Sequence, residues 1–386
     1  METKLLRLAI LSAAGVYAST AVAIEPAGVS AGPVDLIPTL TVQTGYNDNL
    51  YGDETGEKGT FFSVISPNLQ AIAEKDNDSY TVNYNMAIGT MYSSHVDDYV
   101  DHNLTGTAAL ELDSRNRLTL GANLGRIHES GPNNGDAPAY FLDKGLSAAY
   151  GFGAEGAQGN LEGTFAYQSH DTLNYDSTNA GDVRENLLLG GKFLYRVAPK
   201  TRAVAELRFE DVDYELGTST LDSFNTKVLG GVAWDATAKT SGEAKIGFAK
   251  KDFDSSSRSD QDGLTWEIGA TWAPRTYSTV SLATSQSFAE SGGDGEDAKD
   301  TKSYSVSWDH KWSELVSTQA GYSLTQEEYL GTTRDDSTNA INVGVTYELQ
   351  RWLSLGLGYS FSDTDSNSAG NSSTNNQVVL TLQGSL

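Results

Sequence analysis

The sequence predicts an all-β protein, a transmembrane antiparallel up-and-down β-barrel of about 18 strands. Three observations predict this fold. Apolar and polar side chains alternate along many segments, the connections between these segments alternate between short and long, and the N-terminus has the pattern of an export signal. A barrel strand exposes only every second side chain to lipid, so alternation, rather than a long apolar run, is the expected signature.

The clearest alternation lies in residues 202–210. The residues of one parity are Ala203, Ala205, Leu207 and Phe209, and those of the other are Arg202, Glu206, Arg208 and Glu210. Because a helix repeats every 3.6 residues, it would mix these two sets on one face, whereas a strand separates them.

Eighteen segments share this character. They are 39–46, 60–74, 78–92, 100–112, 117–128, 140–152, 159–168, 184–197, 200–212, 222–235, 240–251, 261–273, 277–287, 302–311, 316–327, 338–348, 352–361 and 375–386. The even number allows an antiparallel sheet to close on itself. In hydrocarbon every backbone N–H and C=O group needs a partner, and a closed barrel leaves no edge without one.

The connections between the segments alternate in length. Short ones, such as 75–78, 113–116 and 349–351, come between long polar ones, such as 47–59, 169–183, 288–301 and 362–374. Short periplasmic turns and long outer loops are typical of bacterial barrels. This pattern predicts a bacterial outer-membrane location with both termini in the periplasm.

The N-terminus predicts three regions: a cleavable signal peptide (1–23), a short periplasmic segment (24–38) and the barrel (39–386). Lys4 and Arg7 precede a short apolar stretch, and Ala21-Val22-Ala23 has the small residues of a cleavage site. The apolar stretch is too short for a spanning helix, which needs roughly 20 residues.

Composition excludes several classes of function. The chain has no cysteine, so disulfides, thiol catalysis and thiolate metal sites are absent. Its net charge of −25 disfavours nucleic acid as a partner. No cofactor and no metal site is predicted: Asp363-x-Asp365-x-Asn367 begins like a calcium loop, but Ser368 stands where glycine is required. Outer-membrane lipid and lipopolysaccharide are the expected partners. Divalent cations could bridge the acidic loops to lipopolysaccharide phosphates, and loops that are acidic only because they are solvated are the simpler explanation.

Aromatic residues near the strand ends predict two interfacial belts. They are Tyr92, Tyr140, Phe152, Trp234, Trp272, Tyr277, Trp308, Trp312 and Trp352. Arg126 falls on the lipid parity of its strand, so we expect it near an interface, where its charge reaches water.

Three short motifs lie in the N-terminal part of the predicted barrel. They are Gly45-Tyr46-Asn47-Asp48-Asn49, then Ser66-Pro67, then Asp97-Asp98-Tyr99-Val100-Asp101-His102. Together they resemble the β-barrel porins associated with exopolysaccharide loci, the EpsL-like barrels, over about residues 40–128. The resemblance implies an outer-membrane barrel that assists export of a surface polysaccharide, and it implies no catalytic residue.

The predicted lumen carries a strip of mixed charge. The candidate pore-lining residues are Lys192, Arg196, Arg202, Glu206, Arg208, Glu210, Glu243 and Lys245. Opposite charges on neighbouring strands can orient water and guide a polar or anionic solute. The alternative is that the strip is polar only because water fills the lumen.

One cluster merits a test for catalysis, since an acid–histidine pair can activate water. Asp97, Asp98, Asp101 and His102 lie together in sequence, but there is no Gly-x-Ser-x-Gly nucleophile motif. We therefore predict that the protein is not an enzyme.

Three functions remain open. The first is a polysaccharide-export channel acting with periplasmic export machinery, the second a diffusion porin for small polar solutes, and the third a non-conducting structural or adhesive barrel. The third long connection, 129–139, is short for the loop that constricts a general porin. This mildly favours export over general diffusion.

Overall fold

The computed structural model describes residues 28–129, 138–154, 156–174, 180–237, 239–290 and 295–385. The predicted signal peptide and residues 130–137 of the third long connection lie outside these ranges. Over the described ranges, no helix is long and apolar enough to cross a membrane.

The described chain is almost entirely β-strand, because alternating side chains satisfy a pleated strand with two different faces. The strands are β1 (Val29–Ala31), β2 (Val34–Asn47), β3 (Thr60–Lys75), β4 (Asp78–Met91), β5 (Tyr99–Glu111), β6 (Asn116–Glu129), β7 (Ala139–Phe152), β8 (Gly159–Thr172), β9 (Arg184–Ala198), β10 (Thr201–Tyr214), β11 (Ser223–Thr237), β12 (Thr240–Phe253), β13 (Gln261–Arg275), β14 (Ser278–Ala289), β15 (Ala298–Lys311), β16 (Val316–Leu330), β17 (Asp335–Gln350), β18 (Leu353–Ser366) and β19 (Ser373–Ser385). Two short 3₁₀ turns, His95–Asp97 and Ala180–Asp182, lie in connections on the side of the long loops.

The sheet closes between its last and first long strands. Strands β2 to β19 each pair antiparallel with the next, and β19 pairs with β2 from Gln377↔Asn47 to Ser385↔Thr39. The predicted eighteen-stranded up-and-down barrel is confirmed, and each predicted segment corresponds to one strand. An additional strand, β1, pairs with the first residues of β2. Strand β19 does not extend as far as these residues, so β1 provides their backbone hydrogen-bond partners on that side of β2.

The strands extend further than the apolar pattern indicates. Strand β2 begins at Val34, inside the segment 24–38 that we expected to precede the barrel. The connections expected at 288–301 and 362–374 shrink to 290–297 and 367–372. Pairing continues into polar sequence because inter-strand hydrogen bonds join backbone groups and do not require apolar side chains.

The outer face of the barrel is an apolar belt. On β10, Leu207 and Phe209 are 40% and 36% exposed, and Phe248 on β12 is 69% exposed. Large exposed apolar side chains recur in this way on every strand from β2 to β19 except β16, where tyrosine takes their place. A surface of this extent and character is stable when it contacts lipid.

Aromatic residues border this belt. Phe152, Trp272, Tyr277, Trp312 and Trp352 are exposed at or near the short turns. At the opposite end, the guanidinium of Arg126 lies 4.3 Å from the centre of the Tyr140 ring, and it also donates a hydrogen bond to the Val100 carbonyl oxygen. These contacts hold the charge of Arg126 near the strand end, where water is accessible.

Candidate functional site

Six charged side chains meet on the inner wall of the barrel, and we call them the charge network. They come from β9 (Lys192), β10 (Glu206 and Arg208), β12 (Glu243 and Lys245) and β13 (Glu267). Each lies on the strand face opposite the exposed apolar residues, so the alternation of the sequence points all six inward.

Lys245 is at the centre of the charge network. Its Nζ atom lies 2.7 Å from a Glu206 oxygen, 2.8 Å from a Glu267 oxygen and 3.1 Å from a Glu243 oxygen. Only 6% of the side chain is exposed. An ammonium has three hydrogen-bond donors; Lys245 donates one hydrogen bond to Glu206 and forms ion pairs with Glu243 and Glu267.

The other two cations connect the ends of the network. Arg208 binds Glu267 through both terminal nitrogens, at 2.6 and 2.9 Å, and its Nε donates to Glu206 at 2.5 Å. Lys192 donates to Glu243 at 2.7 Å. Forked Arg–carboxylate pairs have a fixed geometry as well as added strength, so the network presents a rigid array of three positive and three negative charges to the lumen.

Strand β11 makes these long-range pairs possible. It lies between β10 and β12, and at the level of the network its inward positions include Gly231, paired with Lys245, and Leu229, which is 2% exposed. Lys227, a further cation, faces inward beside them. Since Gly231 has no side chain, Lys245 can reach Glu206 across it. The network therefore spans β11 and covers Leu229.

The structure brings together five of the eight candidate pore-lining residues. Arg196 and Arg202 instead form a cross-strand pair near the short turns, where Arg202 donates a hydrogen bond to Asn160. Glu210 lies towards the long loops and accepts hydrogen bonds from Asn186 at 3.1 Å and Asn225 at 3.4 Å. The predicted strip is thus three separate groups.

Sequence reasoning missed Glu267. It stands between Trp266 and Ile268, and the exposed Ile268 shows that these two neighbours have the lipid-facing parity. The same parity rule that identified Glu206 would have identified Glu267.

On the side of the long loops, a small apolar cluster lies across part of the barrel opening, and we call it the outer-end core. Its members are Val212, Tyr214, Leu221, Phe253 and Ala298, with Leu330 packed against them. These residues come from strands as far apart as β10 and β16, so their contacts cross the opening. Lys251 supports the core by donating to Ser223 at 2.8 Å and to Glu290 at 2.6 Å.

The first family-motif segment closes the barrel seam. Asn49 is fully buried, and its amide nitrogen donates to the backbone oxygens of Asp53 at 2.8 Å and Thr374 at 3.0 Å. Asp48 accepts two hydrogen bonds from Asn376, at 2.6 and 2.7 Å. These bonds connect the end of β2 to the start of β19, the two strands that close the barrel.

The second motif, Ser66-Pro67, interrupts a ladder. The pairing of β3 with β4 runs to Ile65↔Ile88 and resumes at Asn68↔Asn85. Proline has no N–H group to donate, so a local irregularity accommodates it.

The residues of the third motif lie on opposite faces of β5. His102 stacks with Tyr84, whose hydroxyl lies 2.8 Å from the His102 ring nitrogen, on the apolar outer face. Asp101 faces inward and pairs with His128 at 2.7 Å. The cluster considered for catalysis is therefore not one site, because its acids and its histidine are separated by the strand.

The Asp101–His128 pair has a counterpart two strands further along. His128 stacks on Tyr99 at 3.5 Å, and His170 stacks on Phe141 at 4.4 Å while pairing with Asp143 at 2.6 Å. In both cases 27 residues separate the histidine from its aspartate. The two consecutive hairpins repeat one arrangement along the inner wall near the long loops.

A closed barrel with an apolar outer belt, aromatic borders and a charged interior is a bacterial outer-membrane β-barrel with a polar lumen. The chain belongs to the family described as "Putative beta-barrel porin 2", which matches residues 22–385. The comparison with curated proteins found no match.

Two solved structures share the architecture. OccAB2 of Acinetobacter baumannii has a TM-score of 0.50 at 15% identity, covering 91% of this chain and 98% of that one. OccK9 (OpdG) of Pseudomonas aeruginosa has a TM-score of 0.50 at 13% identity, covering 91% and 98%. These similarities show a shared barrel fold.

Proposed function

We propose that this protein is a diffusion channel for small polar solutes across the outer membrane. The observation that supports this most directly is the charge network, which holds fixed opposite charges on the lumen wall. Charges held in place by mutual hydrogen bonds orient water and polar solutes without themselves rearranging. Membership of a porin family supports the same function.

The outer-end core favours small solutes over a polymer. Its residues come from strands β10, β12, β15 and β16 and from the loop after β10, so it narrows the opening on that side. The export hypothesis depends on the three motifs, and their residues are engaged in the barrel seam, a proline irregularity and contacts on both faces of β5. A channel for small solutes uses the features of the lumen more directly.

Planar-bilayer recording tests the proposal. We expect the purified, refolded protein to insert and give stable unitary currents in potassium chloride, and liposome swelling to be fast for small sugars and amino acids and slow for larger oligosaccharides. A barrel that inserts without conducting would refute the channel and support the structural alternative.

A deletion strain distinguishes uptake from export. If the protein is a diffusion channel, its loss leaves surface polysaccharide unchanged and slows growth on a limiting small solute. Loss of surface polysaccharide with normal solute uptake would instead support export.

We also propose lipopolysaccharide as a partner of the long loops. Asp53, Glu54 and Glu57 lie in the connection between β2 and β3, and divalent cations can bridge such carboxylates to phosphates. Chelation that loosens lipopolysaccharide should then accelerate protease cleavage of this loop in intact membranes.

A further inference from the structure

An open cavity lies on the wall opposite the outer-end core. It has a volume of about 410 Å³ and is lined by residues of β17 to β19, β2 to β6 and the loop after β2. This is within the range of roughly 300–1,000 Å³ that ligand sites occupy. The outer-end core and the charge network make no contribution to its lining.

One wall of the cavity is apolar. Phe62 and Val64 of β3 and Tyr99 of β5 are all less than a tenth exposed, and Met91 completes the surface. His128 lines the cavity beside them, with its ring stacked 3.5 Å from Tyr99. This wall offers a solute flat, weakly polar contact.

The facing wall consists of uncharged hydrogen-bonding side chains. Asn342 of β17, Ser360 and Ser362 of β18, and Gln377 of β19 all have the inward parity. In the described part of the chain none of these four side chains has a hydrogen-bond partner. Their amide and hydroxyl groups are therefore available to a bound molecule as donors and acceptors.

Among the described residues, the lining contains no aspartate, glutamate, lysine or arginine. In the whole chain 20% of residues are charged, and the charge network shows that the inner wall accommodates such residues. The acidic Asp101 is directed at His128 of the lining, at 2.7 Å, so the described lining offers an ionic solute no unpaired carboxylate or ammonium. Its chemistry fits a neutral molecule that has hydroxyl groups on its edges and an apolar C–H face.

We propose that this cavity binds a neutral sugar, with the ring face against the Phe62–Tyr99 wall and the hydroxyl groups on Asn342, Ser360, Ser362 and Gln377. The proposal deepens the proposed function by naming a solute class for the channel. Binding of the sugar does not depend on that function, whereas passage of the sugar through the barrel rests on it. The volume of the cavity suits one or two sugar units.

Two measurements on the refolded protein separate binding from conduction. Saturation-transfer NMR in detergent detects maltose binding whether or not the barrel conducts, and maltose block of the potassium chloride current detects binding within the open channel. Glucuronate and glucosamine, which carry opposite charges, are the comparison solutes, and maltoheptaose represents a polymer segment. We expect maltose to bind at least several-fold more tightly than either charged sugar.

Asn342→Leu and Gln377→Met remove hydrogen-bonding groups with little change of volume. Each should weaken maltose binding about fivefold, because one hydrogen bond contributes about 1 kcal/mol. Asn103→Leu on β5 is the matched control: Asn103 is exposed, faces inward and lies outside the cavity lining. Unchanged heat-dependent gel migration would show that each variant folds.

Four outcomes decide the matter. Maltose binding that both cavity variants weaken and Asn103→Leu leaves unchanged supports the sugar site. No maltose signal by NMR, or equal binding of all three small sugars, overturns it even if the channel conducts. Maltose binding without current supports the site and refutes the channel. Block of the current by maltoheptaose but not by maltose would support sugar binding in the cavity and would refute a channel for small solutes.

Discussion

Replacing Lys245 with methionine removes the central cation of the charge network while keeping the length and most of the volume of the side chain. Three carboxylates lose one ion-pair contact each, at 2.7, 2.8 and 3.1 Å. Each still has another cation: Arg208 remains with Glu206 and Glu267, and Lys192 remains with Glu243. The network should therefore rearrange without collapsing.

The expected loss of stability follows from these contacts. A hydrogen bond between charged groups contributes roughly 1.5–3 kcal/mol net, and removal of one partner from a fully buried ion pair costs about 3–5 kcal/mol. Because every carboxylate retains a cation, we expect Lys245→Met to lower the free energy of unfolding by about 2–3 kcal/mol. Urea titration in detergent, followed by gel migration, measures this change.

The same substitution changes the charge of the lumen wall. The substitution removes one positive charge, while Lys192, Arg208 and the inward-facing Lys227 remain. A unit charge about 8 Å from a permeating ion contributes roughly 0.5 kcal/mol at the dielectric constant of water, which is about twofold in relative permeability. The zero-current potential across a potassium chloride gradient should shift towards cation selectivity.

Lys250→Met is the matched control. Lys250 lies five positions further along β12, faces outward and is exposed, and it pairs with Asp252. It changes the total charge equally without altering the lumen. An equal shift in zero-current potential for both variants, or none for Lys245→Met, would refute the assignment of Lys245 to the conducting wall.

Three further predictions concern the barrel itself. Asn49→Ala removes three hydrogen bonds of a buried amide, so we expect the β2–β3 loop to lose about 2–3 kcal/mol of local stability, seen as faster amide hydrogen exchange there with the barrel intact. Gly89→Ala would place a methyl group 2.1 Å from a tyrosine ring atom and should cost about 1–3 kcal/mol, while Gly106→Ala, with nothing within 4 Å, should leave the thermal midpoint unchanged. In a short turn, the Arg115 backbone N–H, together with Asn116, lowers the pKa of Asp113. Its stabilisation is thus present above the unfolded pKa of about 3.9 and lost as pH falls through the lowered value, and Asp113→Asn should remove this dependence from acid unfolding curves.

Sequence reasoning located every barrel strand, and its errors were at the ends. Strand β2 begins at Val34 and β18 continues to Ser366, in both cases beyond the alternating segment. Side-chain alternation reports contact with lipid, whereas backbone pairing determines where a strand ends. The end of the alternating pattern and the end of the strand coincide only where backbone pairing also stops at the membrane surface.

The candidate site was recovered in part for a related reason. Parity alone placed Glu206 and Lys245 inside the barrel, and it could have placed Glu267 there. It could not show that these three meet, because the contact depends on the register of β10 to β13 and on the absence of a side chain at Gly231.

The resemblance to a polysaccharide-associated family was a weaker guide to function. The fold and the porin family are confirmed, while the type within that family is still a prediction. Asn49 illustrates the reason: a residue in a recognisable motif can serve barrel closure, and closure is needed whatever passes through the lumen.

By itself, the sequence determined the number of strands, their inward and outward faces and the closed form of the sheet. These follow from a local rule, because each side chain contacts either lipid or water and successive residues of a strand alternate between the two. Only the tertiary structure decided which inward residues meet, how the outer-end core narrows the opening and where an uncharged cavity remains. Those contacts join residues such as Lys192 and Glu243, which are 51 positions apart in the chain and become neighbours only through strand register and barrel curvature.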